Sequence, residues 1–419
     1  MNRRHLLTAG AGLAMMAPAA LAAKQRLAGP EPARRRMLSA ADFGAVGDGS
    51  ADDSQALQQA LDATFGGERG YFLTIPPGEY RVTRPLRIAF EGKPAGNVTR
   101  LAGISAYGAR LISEVGQGQN VVDVLIRATV RFLLIEGLTI AGNGREGHGL
   151  AFDCNIEGSY LYNSCLRDLV VQGCGGDGVS MVGNIFESQL FNCYFRDNKG
   201  NGGLFSHGPK GGVLSAMHAF GCVFGQNGND GVALGRGAAD VSFHGCYFLL
   251  NGKFGLSAPS GCTLLSNCGF ENNHQSAPDF AHGDAGIRLQ VFGTLIGCTA
   301  YSIYRQTHLV RAFITNRLVM IGCVASGGGG AKGAKLAKLQ GNKKGKATLI
   351  GCHGAVDRQG GVDVADVTEG AGGGAFGSEW NSGNLPQLGD YRLWVDGKGR
   401  LRLKKGTPTS DQDGAPVGS

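Results

Sequence analysis

The sequence predicts an all-β solenoid, a parallel β-helix, and three observations predict it. A cysteine recurs with the same neighbours, as Asn192-Cys193, Gly221-Cys222, Gly245-Cys246, Asn267-Cys268, Gly297-Cys298, Gly322-Cys323 and Gly351-Cys352. The steps are 29, 24, 22, 30, 25 and 29 residues. Self-similarity at that period marks a stacked repeat, in which no single turn can bury its inner face alone. Short apolar runs flank the cysteines, as in Leu190-Phe191-Asn192-Cys193-Tyr194-Phe195, and polar Asn/Gly turns follow them. Within the repeats no segment shows helical periodicity. The cysteines are expected to form a buried ladder, one small residue at the same place in every turn.

Taken in order, the chain opens on a targeting segment. Asn2-Arg3-Arg4-His5 is basic, Thr8 to Ala19 is a moderately apolar run, and Ala20-Leu21-Ala22 is a small-residue cleavage site. Adjacent arginines before a weakly hydrophobic run suggest a twin-arginine leader over residues 1–23, with an ordinary secretory signal as the other reading. Either implies export to the periplasm or beyond. Residues 24–38, with Arg34-Arg35-Arg36, read as a basic linker. No later segment is long and apolar enough to span a membrane.

The next block caps the solenoid. Ala51-Asp52-Asp53-Ser54 offers helix N-cap residues, and Ala56, Leu57, Ala60 and Leu61 share one face of a short helix near 53–64. An open stack exposes its first hydrophobic layer, and such a helix can cover it. Strands at Tyr71–Ile75 and Tyr80–Val82 then lead into the repeats, which are expected to run to about residue 360. Lys332, Lys335, Lys338, Lys343, Lys344 and Lys346 crowd one Gly/Lys/Ala segment between two ladder turns, which reads as a solvated insertion. Residues 361–419 read as a Gly-rich linker and a β-hairpin tail over 391–404, with Asp396-Gly397 near its turn.

Composition narrows the function classes. The 72 glycines lack a Gly-x-y period, which excludes collagen. Net charge is +7, but it is diffuse, and no aromatic residues interleave the lysines, so no nucleic-acid partner is expected. Eleven cysteines in an exported chain invite a disulfide reading. Against it, the count is odd, and parallel stacking sets ladder side chains alongside rather than toward each other. Buried free thiols, acting as small hydrophobes, are the expectation. Cys154, Cys165, Cys174 and Cys262 lie off the ladder and receive no role.

Asp42-Phe43-Gly44-Ala45-Val46-Gly47-Asp48-Gly49, Asp52-Asp53, Ala56-Leu57 and Ile75-Pro76-Pro77-Gly78-Glu79-Tyr80 closely resemble the opening of the pectate-lyase-like superfamily of the rhamnogalacturonase/epimerase type. The resemblance implies a right-handed parallel β-helix and a polysaccharide substrate or ligand. It implies the fold more strongly than the activity, because the block is a cap and one fold hosts many functions. The tail is similar to C-terminal modules of surface and phage-type β-helix proteins. A trimer is compatible with these features, though nothing in the sequence specifies an oligomer.

Cleavage of a polysaccharide takes one of two forms. Hydrolysis uses two carboxylates flanking the glycosidic bond. Elimination from a uronic acid uses a base and a cation that neutralises the sugar carboxylate. Asp177, Asp230 and Asp284 precede short strands in separate turns, and Arg288 follows Asp284 on the same stretch. These four are the candidate catalytic residues. Asn201 and Phe254 hold the equivalent place in intervening turns, and His148 sits earlier, in Gly147-His148-Gly149. The competing reading is that Asp-Gly is ordinary turn chemistry. The pectin-hydrolase branch places Asn-x-Asp, Asp-Asp, Gly-His-Gly and Arg-Ile-Lys in that order. This chain echoes it only in Asn229-Asp230-Gly231 and Ile287-Arg288-Leu289. No cofactor and no metal, calcium included, is expected. The expected function is an exported hydrolase or lyase acting on a polysaccharide. The alternative is a non-catalytic glycan-binding or envelope-structural β-helix.

Overall fold

The computed structural model describes residues 37–66, 72–90, 97–98, 102–208, 211–235, 237–258, 262–274, 279–280, 293–303, 306–314, 317–326, 333–341, 345–360, 363–366, 387–388, 391–395, 401–406, 409–410 and 413–416. The expected leader and most of the linker lie outside them.

Each turn of the chain visits three parallel sheets in succession. Gln189–Phe191 lies in sheet A, Tyr194–Arg196 in sheet B and Gly203–Ser206 in sheet C; Leu214–Phe220 then returns to sheet A. Among the described residues sheet A has 17 strands and sheets B and C have 11 each. The pairings in them run parallel from turn to turn, as in Tyr194↔Val223↔Tyr247, with register shifts at Asp48–Asp52 and Cys262–Leu264. This is the parallel β-helix that the repeat pattern predicted, in the right-handed form that the family resemblance implied.

The Asn/Gly-Cys signature now has a physical reason. The corner between sheets A and B is a tight turn whose first residue is left-handed: Asn192, Gly221, Gly245, Asn267, Gly297, Gly322 and Gly351 have φ between 50° and 62°. Glycine and asparagine tolerate that region best. The cysteine that follows points inward. All seven ladder cysteines are free and at most 3% exposed. Their thiols find carbonyl acceptors, as Cys246 Sγ does at Ala219 O (3.4 Å) and Cys268 Sγ at Phe243 O (3.4 Å).

Two further ladders fill the interior. Phe195, Phe224, Phe248 and Phe270 stack with ring centroids 5.4, 5.3 and 4.6 Å apart. Between sheets B and C, Asn198, Asn227, Asn251 and Asn273 are buried, the Nδ2 of each of the first three donating to the Oδ1 of the next at 2.8–3.1 Å. Cys174 holds the same place one turn earlier, its N–H donating to Asn198 Oδ1 (3.0 Å). That explains one off-ladder cysteine. Burial pushes its thiol up to about 12. Cys154 is buried at the end of Leu150–Cys154 and donates to Asn184 O (3.1 Å); burial pushes its thiol up to about 11. Cys165 sits half-buried on the outer side of sheet A, and the side chain of Cys262 lies outside the described residues.

The cap is a helix, α1 (Ser54–Phe65). It buries Leu57, Ala60 and Leu61 as the periodicity predicts, while Ala56 is only partly covered and Phe65 joins the face, edge-on to Phe90 at 5.4 Å. Asp53 departs from the expectation. Its carboxylate does not cap the helix but accepts the N–H groups of Val46 (2.7 Å) and Gly47 (3.1 Å), tying down the preceding loop.

The lysine-rich segment is a correction. Gly333–Gly341 is a strand of sheet C, paired with Gln306–Ile314 on one side and Val356–Gly360 on the other. Leu336, Ala337 and Leu339 are fully buried beneath it. The lysines obscured an inner face that the strand needs to continue the stack. The tail forms a small antiparallel sheet, with Tyr391–Val395 paired to Leu401–Lys405. Asp396-Gly397 falls outside the described residues.

Candidate functional site

The two described members of the predicted quartet, Asp177 and Asp230, do share one column. It runs along the corner leading into sheet C, one residue per turn: Asn120, His148, Asp177, Asn201, Asp230, Phe254. Each polar side chain accepts the backbone N–H of the residue one turn on. His148 N–H donates to Asn120 Oδ1 (2.8 Å), Asp177 N–H to His148 Nδ1 (3.0 Å) and Asn201 N–H to Asp177 Oδ1 (2.6 Å). Asp230 N–H then donates to Asn201 Oδ1 (3.1 Å) and Phe254 N–H to Asp230 Oδ1 (2.9 Å). Backbone N–H groups at such corners have no sheet partner, and a side-chain oxygen that satisfies them stabilises the turn.

This work constrains the chemistry of the column. Asp177 is 6% exposed, and its Oδ1 also takes the Asn201 amide (2.8 Å). Asp177 and Asp230 lie two turns apart, roughly 10 Å at one strand spacing per turn, at the outer limit of inverting carboxylate pairs. His148 is fixed as well. A backbone N–H can only donate, so Nδ1 is the acceptor, and the neutral ring carries its proton on Nε2. Asp177 Oδ2 stands 3.3 Å from the same Nδ1. Beside the column, the outer row of sheet C is a low floor: Asp123, Ala151, Ser180, Leu204, Ala233 and Ser257, in register. Asp284 and Arg288 lie outside the described residues.

A second histidine–aspartate pair stands farther along sheet C, and the sequence reading missed it. His308 and Lys335 are register partners; three residues along the strands Arg311 pairs with Lys338, and Lys338 with Asp357 on the following turn. His308 Nε2 lies 3.0 Å from Asp357 Oδ2, and Lys335 Nζ lies 3.0 Å from both carboxylate oxygens. A carboxylate can only accept, so Nε2 bears the proton and the lone pair of the neutral ring is on Nδ1. Burial holds the His308 pKa below its usual value, against the pull of Asp357. The hydrogen bond from His308, aided by Lys335, holds Asp357 below the usual carboxylate range. Arg311 Nε is buried with no hydrogen-bond partner among the described residues. The signal that could have exposed this centre was the apolar content of the segment, Leu336, Ala337 and Leu339 set among Lys335 and Lys338, in a stretch that reads as a solvated insertion.

These features define the class: a parallel β-helix with a polar column along one corner and a charged centre on one sheet. Residues 37–125 match the family described as rhamnogalacturonase A/epimerase, pectate lyase-like. Residues 124–292 match the right handed beta helix region, and residues 344–419 match the capsule depolymerase family. Over residues 37–292 the chain is thus similar to the pectate-lyase-like superfamily of right-handed parallel β-helices. Among curated proteins it is 28% identical over 245 residues to mannuronan C5-epimerase AlgE2 of Azotobacter vinelandii, covering 48% of this chain and 23% of that protein. The match thus spans about a quarter of the relative's length. Among solved structures, ORF18 of Geobacillus virus E2 aligns with a TM-score of 0.56 at 18% identity, over 88% of this chain and 66% of that one. The Dettilon tailspike protein gp208 aligns with a TM-score of 0.51 at 12% identity, over 78% and 64%. Both share the fold. No helix among the described residues is long and apolar enough to cross a membrane.

Proposed function

We propose that this protein is an exported polysaccharide-processing β-helix that holds an extended glycan along sheet C and acts on it by proton abstraction rather than hydrolysis. The observation that carries this reading is the state of the column carboxylates. An inverting or retaining glycosidase needs one carboxyl group to protonate the leaving oxygen and another to work as base or nucleophile. In this column Asp177 and Asp230 each have an oxygen committed to a backbone N–H, and Asp177 is almost wholly buried. The partly exposed Asp230 and the row of sheet C beside it suit the binding of sugar hydroxyls, and Asp230 is proposed as a glycan-lining residue, with Asp177 a scaffold residue of the column. Asp284 and Arg288, outside the described residues, keep their proposed place as site residues only on the sequence argument. The relatives named as mannuronan C5-epimerases support a uronate-containing polymer, and C5 epimerisation and elimination both start with loss of the proton α to the carboxylate.

A panel of mannuronan, pectate and neutral polysaccharides tests this. The expected result is binding to the acidic polymers, with unsaturated ends or inverted uronates as products. Release of saturated reducing ends would establish hydrolysis instead. Binding without any chemical change to the polymer would establish the glycan-binding alternative.

A further inference from the structure

We propose that His308, oriented by Asp357 and flanked by Arg311, Lys335 and Lys338, is the proton-abstracting centre for a carboxylated sugar in the chain held by sheet C. This assignment rests on the polysaccharide reading above, and it places the chemistry well along the stack from the acidic column.

The geometry supplies each part. Asp357 Oδ2 takes the Nε2 proton at 3.0 Å, which fixes the ring and leaves the Nδ1 lone pair as the basic site. The His308 side chain is only 13% exposed, so the ring is held rather than mobile. Its protonated form is disfavoured by burial and by the lysines. The charged groups that act on it are Asp357, Lys335 and Lys338; Arg311 lies three residues along the same strand, and Asp279, register partner of Arg311, has a side chain outside the described residues. Arg311 and Lys338 are cross-strand neighbours in a row flanked by Asp279 and Asp357, and the Asp357 carboxylate is taken by His308 and Lys335. Arg311 Nε, buried without a described partner, is a donor awaiting an acceptor. A sugar carboxylate supplies that acceptor.

The step balances within the centre. Nδ1 of His308 takes the proton from the carbon bearing the carboxylate, and the C–H electron pair moves onto that carboxylate, opposite Arg311 and Lys338. The pair then returns to form the C4–C5 double bond as the C4–O4 bond breaks. The departing O4 receives the proton from the imidazolium, which restores neutral His308. No oxidant or co-reactant is needed.

The test is formation of C4–C5 unsaturated uronate ends on an acidic polymer, read by NMR, with polymer binding measured in parallel. Wild type is expected to produce unsaturated ends; a wild type that binds the polymer and leaves it unchanged overturns the assignment. His308→Gln should lower the rate at least a hundredfold while binding and thermal melting stay near wild type. His308→Ala should regain part of its rate with added imidazole, which a purely structural role would not give. Arg311→Gln with Lys338→Ala should raise KM for the acidic polymer and leave binding of its carboxyl-reduced form unchanged. Unsaturated ends formed at the wild-type rate by His308→Gln overturn the assignment and leave the polysaccharide reading standing. Absence of binding to every polymer in the wild type overturns both. If His308→Gln fails to fold, the wild-type profile decides: no loss of rate as pH falls below the ordinary histidine range contradicts the proposal.

Discussion

His148 with Asp177, and His308 with Asp357, are the same two residue types at opposite ends of one sheet, with opposite lone pairs in use. In the first pair the imidazole nitrogen lone pair receives the backbone N–H of Asp177. That nitrogen is part of the scaffold and cannot act as a base. In the second pair the aspartate takes the ring proton instead, and the Nδ1 lone pair is left over as the basic site. The first pair sits where the repeat is regular and each side chain completes a corner. The second sits where the repeat gives way to longer strands, Gln306–Ile314 and Gly333–Gly341, with ionic groups paired across them at positions three residues apart. A histidine beside a carboxylate is therefore not in itself a catalytic feature. What decides is which atom the backbone has already claimed.

Substitutions can break or sharpen that contrast. The largest effect belongs to the regular stack. Phe248 is fully buried between Phe224 and Phe270, so Phe248→Ala should cost about 3–5 kcal/mol, read by denaturant titration. A cost under about 1 kcal/mol would mean that the layer collapses around the gap. Next comes Asp177→Ala, which strips the acceptor from the Asn201 N–H and should cost about 1–3 kcal/mol. Gly245→Ala follows. Nothing crowds a Cβ there, but φ is +59°, so the change should cost about 1–2 kcal/mol from backbone strain alone. The smallest effect on stability belongs to Asp357→Asn. Half exposed and bonded to side chains, it should stay within about 0.5 kcal/mol of wild type yet lower turnover. Equal destabilisation by the two aspartate variants would erase the distinction drawn between the pairs.

Acidity offers a further check. His308 has a lowered pKa, so it is neutral at pH 7 and gains a proton only as pH falls below its ordinary value of 6.5. Activity that depends on its lone pair should hold at neutral pH and fall on that acid side. The stability contribution has the same sign. The unfolded chain binds the proton more readily, so stability declines as pH drops through that window.

The solenoid was legible because its constraints repeat. Asn192-Cys193 and Gly245-Cys246 encode a left-handed corner and a buried thiol, two local demands that no other reading satisfies in every turn. The capping helix was legible from Leu57, Ala60 and Leu61. Asp177 and Asp230 were placed in one column by their position before short strands, but their hydrogen bonds were not legible, since Asp-Gly says nothing of which N–H the carboxylate meets. The His308 centre was invisible for another reason. Its members come from three separate strands of the stack, and Lys335 and Lys338 resemble solvent-facing insertion residues unless Leu336 and Leu339 are known to be buried.

The most direct test sets the two histidines side by side, with His148→Gln and His308→Gln compared for turnover on an acidic polymer and for melting temperature. The account predicts that His308→Gln loses about a hundredfold or more in kcat with an unchanged melting point, while His148→Gln keeps its rate and shows its effect, if any, in stability. The reverse pattern, with His148→Gln inactive and His308→Gln fully active, would contradict it.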